Sequence, residues 1–372
     1  MTTALRDAAR DLFPVLDAAA EATPPGEPMA KASLDALEDA GLYGPMVPKA
    51  VGGLELPLAD IVDLYAEVSR ADGSTGWCYF AADVAAAFFG AYLPDSGAED
   101  VFADGVPVVA GQFAPNGTAA IDGDDLVLNG DYQFGSGIAH AQWAGAGMLT
   151  LPEDGSDPSY LMGCLPVGHI ELKGNWDVLG LQATASYDYA VRDERLPRDH
   201  TFDFFAPVVH RGGPMHALGV LPLTAAGHAG WALGVTRRVL DEVLAKAKDT
   251  TRMGASTSLA DSERFLHDYG VLEGRLRAGW AWVREVCTAA EVESARDGTV
   301  SAVTANLVRE ACRQVNQGGA EIAREAYLLA GTKGLRHGPI ERGFRDLHAG
   351  AQHFFASPSA AIDLTRSLLE RD

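Results

Sequence analysis

Ten histidines are spread over the 372 residues, and one of them, His353, stands in Ala351-Gln352-His353-Phe354-Phe355 among aromatic neighbours. An imidazole changes charge near neutral pH, so His353 has the chemistry of a general acid or base. The same side chain in an apolar setting also suits a buried ring satisfied by one hydrogen bond. His348 lies five residues earlier; on one helix the two would be rotated by about 140°, so they are not expected to face each other. Ser136, in Phe134-Gly135-Ser136-Gly137, offers a hydroxyl that donates and accepts, or simply a turn residue. It lacks the strand-to-helix G-x-S-x-G elbow of a nucleophile. Trp77 suits a pocket wall or a core position. No histidine pair has a HExxH setting, and Cys78, Cys164, Cys287 and Cys312 form no CxxC pair, so no metal centre is expected. Gly52-Gly53 and Gly318-Gly319 lack the rest of a Rossmann or P-loop pattern. The second pair, inside a helical pattern, predicts a close helix crossing.

Three blocks carry these residues. Residues 1–105 read as an N-terminal helical domain, since Ala30, Leu34 and Leu37, then Ile61, Leu64, Tyr65 and Val68, recur at three- and four-residue steps. Residues 106–212 read as a central β-domain. Short apolar runs such as Leu126-Val127-Leu128 are broken there by Asp122-Gly123-Asp124 and Asn129-Gly130, which predicts a small antiparallel barrel or sandwich. Residues 213–372 read as helical, with elements at 222–248, 261–296, 299–330 and 339–369 forming a four-helix bundle. Phe265, Tyr269, Leu272, Leu276, Trp280, Val283 and Cys287 make one stripe of the second helix, and Ser258 and Asp261 have the spacing to cap it. The fold class is α+β.

Lys plus Arg number 29 against 51 Asp plus Glu, a formal net charge of −22, which disfavours nucleic acid and anionic lipid surfaces as partners. The N-terminal MTTALRDAARDLF carries charges where a signal peptide needs an apolar run, so a cytoplasmic location with reduced thiols is expected. The apolar stretch from Tyr79 to Leu93 contains Asp83 and falls short of the ~20 residues that span a bilayer, so no membrane segment is expected.

Six segments, in order, resemble the acyl-CoA dehydrogenase superfamily and specifically its branch of two-component flavin-dependent monooxygenases: LDALEDAGL (34–42), VPKAVGGLELP (47–57), SRADGSTGWC (69–78), GDYQFGSGIAHAQW (130–143), WDVLGLQATASYD (176–188) and FRDLHAGAQH (344–353). The resemblance covers nearly the whole chain. It implies a helical domain, a β-domain and a four-helix bundle, usually a homotetramer. It also implies reduced flavin (FMNH2 or FADH2) delivered by a separate flavin reductase, and O2 that oxygenates a small organic substrate, aromatic compounds included, through a flavin C4a-peroxide. By the same resemblance Phe134, Gly135 and Ser136 contact the flavin ring, Phe113 and Ala114 lie on the adjoining flavin-facing strand, and Arg252 and Gly331 are further flavin contacts. His353 and Ser136 are the implied catalytic residues and Trp77 lines the substrate pocket.

Dehydrogenases of this fold commonly carry a catalytic glutamate nine residues after the arginine of their Arg-Asp motif. Nine after Arg345 is Phe354, which cannot take a proton, and the residue before it is His353. Hydroxylases of the branch that bind a phenolate often have a histidine eight residues after the tryptophan equivalent to Trp77; here it is Ala85. The family's Gly-Leu-Arg-Gly-Thr-Gly-Ser appears as Gly180-Leu181-Gln182-Ala183-Thr184-Ala185-Ser186, without the arginine and two glycines. The alternatives are an FAD-dependent acyl-CoA dehydrogenase or oxidase, and a non-catalytic flavin-binding scaffold.

Overall fold

The computed structural model describes residues 2–151, 157–254 and 256–370. Six helices come first: α1 (Thr2–Asp11), α2 (Phe13–Ala22), α3 (Lys31–Asp39), α4 (Leu58–Ala71), α5 (Gly73–Tyr92) and α6 (Asp95–Val101). The Asp72 carboxylate starts α5 by accepting the Thr75 N–H at 2.8 Å. Of the residues in α5 only Ala81 is not buried, as expected of a helix that is apolar all round.

Seven strands come next: β1 (Val109–Asp122), β2 (Asp125–Gly135), β3 (Trp143–Leu151), β4 (Tyr160–Pro166), β5 (Glu171–Leu172), β6 (Tyr187–Pro197) and β7 (Thr201–Asp203). They form one sheet in the order β5-β6-β2-β1-β3-β4-β7. The antiparallel expectation holds for every pair except β1 and β3, which run parallel. The hairpin at Asp122–Asp125 places β2 on one edge of β1. The chain then passes through the turn at 138–140 and reaches the other edge of β1 in the same direction. Of the three register breaks among the described residues of the sheet, one lies between Leu128 and Gly130 and two open the ladder near Ser136 and in β1. Between Gln112 and Gly117 the β1–β3 ladder opens at Phe113 and Ala114, and between Tyr132 and Gly135 the β2–β6 ladder opens at Phe134.

The last block comprises α7 (Val220–Lys248), α8 (Glu263–Asp297), α9 (Ala302–Ala330), α10 (Pro339–Gly350) and α11 (Ser359–Leu369). Phe265, Leu272, Leu276, Val283 and Cys287 of the α8 stripe are buried, with Tyr269 and Trp280 packed at its edge. Ser262, not Ser258, caps α8 by accepting the Phe265 N–H. Ser258 instead bonds Asp261 at 2.6 Å in the turn before the helix. The crossing predicted at the glycine pair exists at one residue: a Cβ on Gly319 would lie 2.7 Å from Thr236 Oγ1 of α7, while Gly318 faces open space.

The fourth bundle helix is not continuous over 339–369. It is broken between Gly350 and Ser359, where a short 3-10 turn (Phe354–Ala356) intervenes and Pro358 precedes the first residue of α11. His348 and His353 therefore do not share a helix. His348 stays on α10 and donates from Nδ1 to the Phe344 carbonyl (2.7 Å), and His353 lies in the break. No helix among the described residues is long and apolar enough to cross a membrane.

Candidate active site

Arg345 and Asp346 of α10 reach across to the segment before β6. Arg345 donates to the Leu179 carbonyl (2.8 Å) and to Gln182 Oε1 (3.1 Å), and the buried Asp346 accepts the Leu181 N–H at 2.6 Å. Gly180 makes this approach possible, since a Cβ there would lie 2.2 Å from the Arg345 carbonyl oxygen. The two family glycines missing from this segment are replaced at different cost. Ala185 sits in the left-handed region (φ 42°) and so holds without glycine a conformation that glycine would adopt freely, whereas Ala183 is not in that region.

So docked, the segment presents Thr184 and Ser186 to the end of β2. Trp77 Nε1 donates to Ser136 Oγ at 3.0 Å, Ser136 Oγ lies 2.8 Å from Ser186 Oγ, Ser186 Oγ lies 2.7 Å from Thr184 Oγ1, and Thr184 donates to the Leu181 carbonyl at 2.8 Å. Each hydroxyl has one proton. With Thr184 committed to a carbonyl, Ser186 donates to Thr184 and Ser136 donates to Ser186. Ser136 is thereby left with a free lone pair and no free proton.

Beside this chain stands a cluster of rings. Trp77 packs edge-on to Phe80 (5.3 Å between centroids), His228 (4.8 Å), Trp231 (4.8 Å) and His353 (5.7 Å). His353 stacks on Phe355 at 5.6 Å and tilts against His228 at 4.3 Å. The residue as a whole is exposed, but its ring packs against Trp77, His228 and Phe355, and desolvation lowers its pKa to about 4. His353 Nδ1 accepts the Phe355 N–H (3.4 Å), which puts the proton of the neutral ring on Nε2. Burial, with the neighbouring His353, also pushes the His228 pKa well down. Gly350 lets Trp231 close the cluster from behind, because a Cβ there would lie 2.3 Å from Trp231 Cη2.

The structure thus brings Trp77, Ser136 and His353 together, with Phe134 and Gly135 leading into Ser136. Phe134, at φ 63°, exposes more than half its surface and touches Trp176. Phe113 packs on Phe88 of α5 and, with Ala114, forms the bulge of β1; its carbonyl accepts the Tyr160 hydroxyl. Arg252 and Gly331 stand apart from the ring cluster and near each other. Arg252 is exposed, with Nη2 3.4 Å from the Leu329 carbonyl, and Gly331 ends α9 at φ 61° with open space around it. Phe354 is half exposed at the rim. Sequence reading missed His228, Trp231, Thr184 and Ser186. The i, i+3 spacing of His228 and Trp231, which puts both on one face of α7, was the available signal for two of them.

A group with a flat apolar body and a polar edge fits these residues: exposed Phe134, Leu179 and Phe354 offer apolar surface, and Ser136 and His353 offer polar atoms. A flavin ring has that character.

Comparison with known proteins agrees. Residues 2–95 match the family described as "Acyl-CoA dehydrogenase, N-terminal domain" and residues 226–358 the one described as "Acyl-CoA dehydrogenase, C-terminal domain". An indole-3-acetate monooxygenase of Pseudomonas putida is 28% identical over 335 residues, covering 87% of this chain and 82% of the relative. The flavin-dependent monooxygenase oxygenase subunit HsaA of Mycobacterium tuberculosis is 24% identical over 373 residues, covering 94% and 91%. The structure of XiaF from Streptomyces sp., in complex with FADH2 and glycerol, superposes with a TM-score of 0.89 at 20% identity, over 100% of this chain and 96% of that one. From the three-block fold, the docked 176–186 segment and these matches, the chain belongs to the acyl-CoA dehydrogenase superfamily, in its branch of flavin-dependent monooxygenases.

Proposed function

We propose that this chain is the oxygenase of a two-component system: it takes reduced flavin from a separate reductase in the cytoplasm and uses O2 to oxygenate a small aromatic substrate. The observation that carries this reading is the cluster of imidazoles, indoles and hydroxyls beside Ser136, with phenylalanine at position 354 where proton removal from an acyl-CoA would call for a carboxylate. Bound in its reduced form, flavin supplies the two electrons that activate O2 for transfer of one oxygen atom to the substrate.

In this reading Phe134 and Gly135 hold the ring face, and the β1 bulge at Phe113 and Ala114 forms the adjoining wall. The free lone pair of Ser136 accepts an N–H, which the N5 position of reduced flavin has and that of oxidised flavin lacks. His353, neutral and protonated on Nε2, donates a hydrogen bond or returns a proton beside the reacting atoms. Trp77 closes the substrate side and, with Phe80 and Trp231, excludes water. Arg252 and Gly331 make the outlying flavin contacts, and the exposed state of the Arg252 guanidinium supports its pairing with an anion. The chain works as a homotetramer.

Stopped-flow mixing of the anaerobic protein, loaded with FMNH2 or with FADH2, against O2 tests the proposal. A long lag before oxidised flavin appears, shortened in His353→Ala or Ser136→Ala, supports it and identifies the flavin. Reoxidation no slower than that of free flavin, in a protein that retains FAD and is bleached by an acyl-CoA, turns the reading to a dehydrogenase.

A further inference from the structure

Ser136 belongs to the ring cluster and also lines a cavity between α3, α5 and the turn after β2, whose apolar walls are Met29, Leu34, Leu37, Ala82 and Val108. The free space is about 10 Å3, room for one molecule the size of water or O2. The walls do not close on it because they are pinned from outside. The Met29 N–H donates to the Ala183 carbonyl (2.8 Å), His140 Nε2 donates to the Met29 carbonyl (2.9 Å), and the Tyr79 hydroxyl of α5 donates to the Leu42 carbonyl just past α3 (2.5 Å). The turn already rests on α5, since a Cβ on Gly137 would lie 3.4 Å from Cys78 Sγ.

The same bonds commit the donors of the lining. Besides Tyr79 and His140, the Tyr43 hydroxyl points at the Leu34 carbonyl (3.5 Å), the Cys78 thiol at the Thr184 carbonyl (3.8 Å), and the Ser136 proton goes to Ser186. A buried water is held by about three polar partners, and this lining offers it no donor; apolar cavities instead take up apolar guests such as xenon. Leu34, Tyr43, Val108 and His140 are half-buried, whereas Leu37, Cys78, Tyr79 and Ala82 are buried, so the cavity has a solvent side and an inner side. Of the reactants of a flavin monooxygenase only O2 is both apolar and small enough for this space.

We propose that this cavity is an O2 site, on a path from solvent at Leu34 and Val108 to Ser136, separate from the ring cluster beside Trp77. The proposal rests on the reading of Ser136 as a flavin contact. It adds the place where the gas is held and the residues that shape it.

Xenon, an apolar atom of similar size, reads the cavity without flavin. Diffraction from crystals of the full chain pressurised with xenon is expected to show an anomalous peak between Met29, Leu37 and Ala82, and Ala82→Leu, which fills the space, should remove it. In stopped flow, the bimolecular rate constant with which O2 consumes protein-bound FMNH2 or FADH2 should fall about tenfold in Ala82→Leu, within the range over which association rates vary among variants of one site. Reduced-flavin affinity should stay within threefold. Leu34→Ala, which widens the solvent side, should not lower the rate constant. No xenon in this cavity of the wild type overturns the proposal, and so does an unchanged rate constant in a variant from which xenon is excluded. Where Ala82→Leu fails to fold, Ala82→Val supplies the filled cavity, and the wild-type xenon result stands without either. Xenon in the cavity together with reoxidation like that of free flavin leaves the gas site and removes the monooxygenase reading. Delayed reoxidation with no xenon in the cavity does the reverse.

Discussion

At the scale of single residues, the hydroxyl relay from Trp77 through Ser136 and Ser186 to Thr184 is directional, and its direction has consequences. Replacing Ser186 by Ala leaves Ser136 with an uncommitted proton. Ser136 can then donate to an oxidised flavin as readily as it accepts from a reduced one. Ser186→Ala is expected to shrink the preference for reduced flavin by up to about tenfold, close to the worth of one hydrogen bond, read as a shift of the bound flavin's midpoint potential to more negative values than in the wild type. An unchanged potential would mean that Ser136 does not meet the ring edge. His353 gives a second prediction. With its pKa lowered to about 4, it should stay neutral from pH 8 down to about pH 5. Its imidazole proton resonances should therefore show no titration in that range, and a midpoint near the ordinary value of 6.5 would show that the ring is solvated rather than walled in.

At the scale of elements, one contact fixes the site: α10 docking on the 176–186 segment. Arg345 holds two groups of that segment and is itself held by Glu341. Arg345→Ala should raise amide exchange in 176–186 by roughly tenfold or more, since hydrogen bonds to a charged group are worth about 1.5–3 kcal/mol, and should leave α8 and α9 as protected as before. Flavin retention should fall with it. A second element, α5, carries the buried Asp83, whose Oδ2 accepts from the Tyr65 hydroxyl and the Met46 N–H while Oδ1 has no partner. Burial raises its pKa from 3.8 to about 7 against the pull of those two bonds. The folded state thus binds the proton more tightly than the unfolded state, so this residue's contribution is favourable below about pH 4 and is lost as pH rises towards 7. Asp83→Asn is expected to flatten the melting temperature between pH 4 and 7 relative to wild type; parallel curves for the two proteins would show that Asp83 is charged throughout.

At the scale of the whole molecule, Arg252 and Gly331 lie where the loop after α7 meets the end of α9. Lys333 Nζ donates to the Asp249 carbonyl there at 2.9 Å, and Met253, Leu328 and Leu335 are exposed. Apolar side chains gathered at a solvent face are suited to an interface. A homotetramer predicts a light-scattering mass four times 39.2 kDa, and Leu335→Glu should lower it. A monomeric mass for the wild type would remove the assembly from the proposal.

The order of helices, strands and helices is legible in the chain alone, because apolar spacing of three to four, then two, is a local property that survives without tertiary contacts. So is the family, since six ordered segments carry the resemblance, and so are His353, Ser136 and Trp77 as chemistry-bearing residues. Other features required the folded molecule. The parallel pairing of β1 and β3 depends on which edge the hairpin has already filled, and the place of His353 among rings depends on how closely Trp231 packs against Gly350. Thr184 and Ser186 became part of a proton-ordered chain only because Arg345 and Asp346 dock their segment. The cavity beside Ser136 stood out only when α3, α5 and the turn after β2 proved to be pinned around it, and unfilled space between elements is a fact about three-dimensional surroundings that no spacing along the chain encodes.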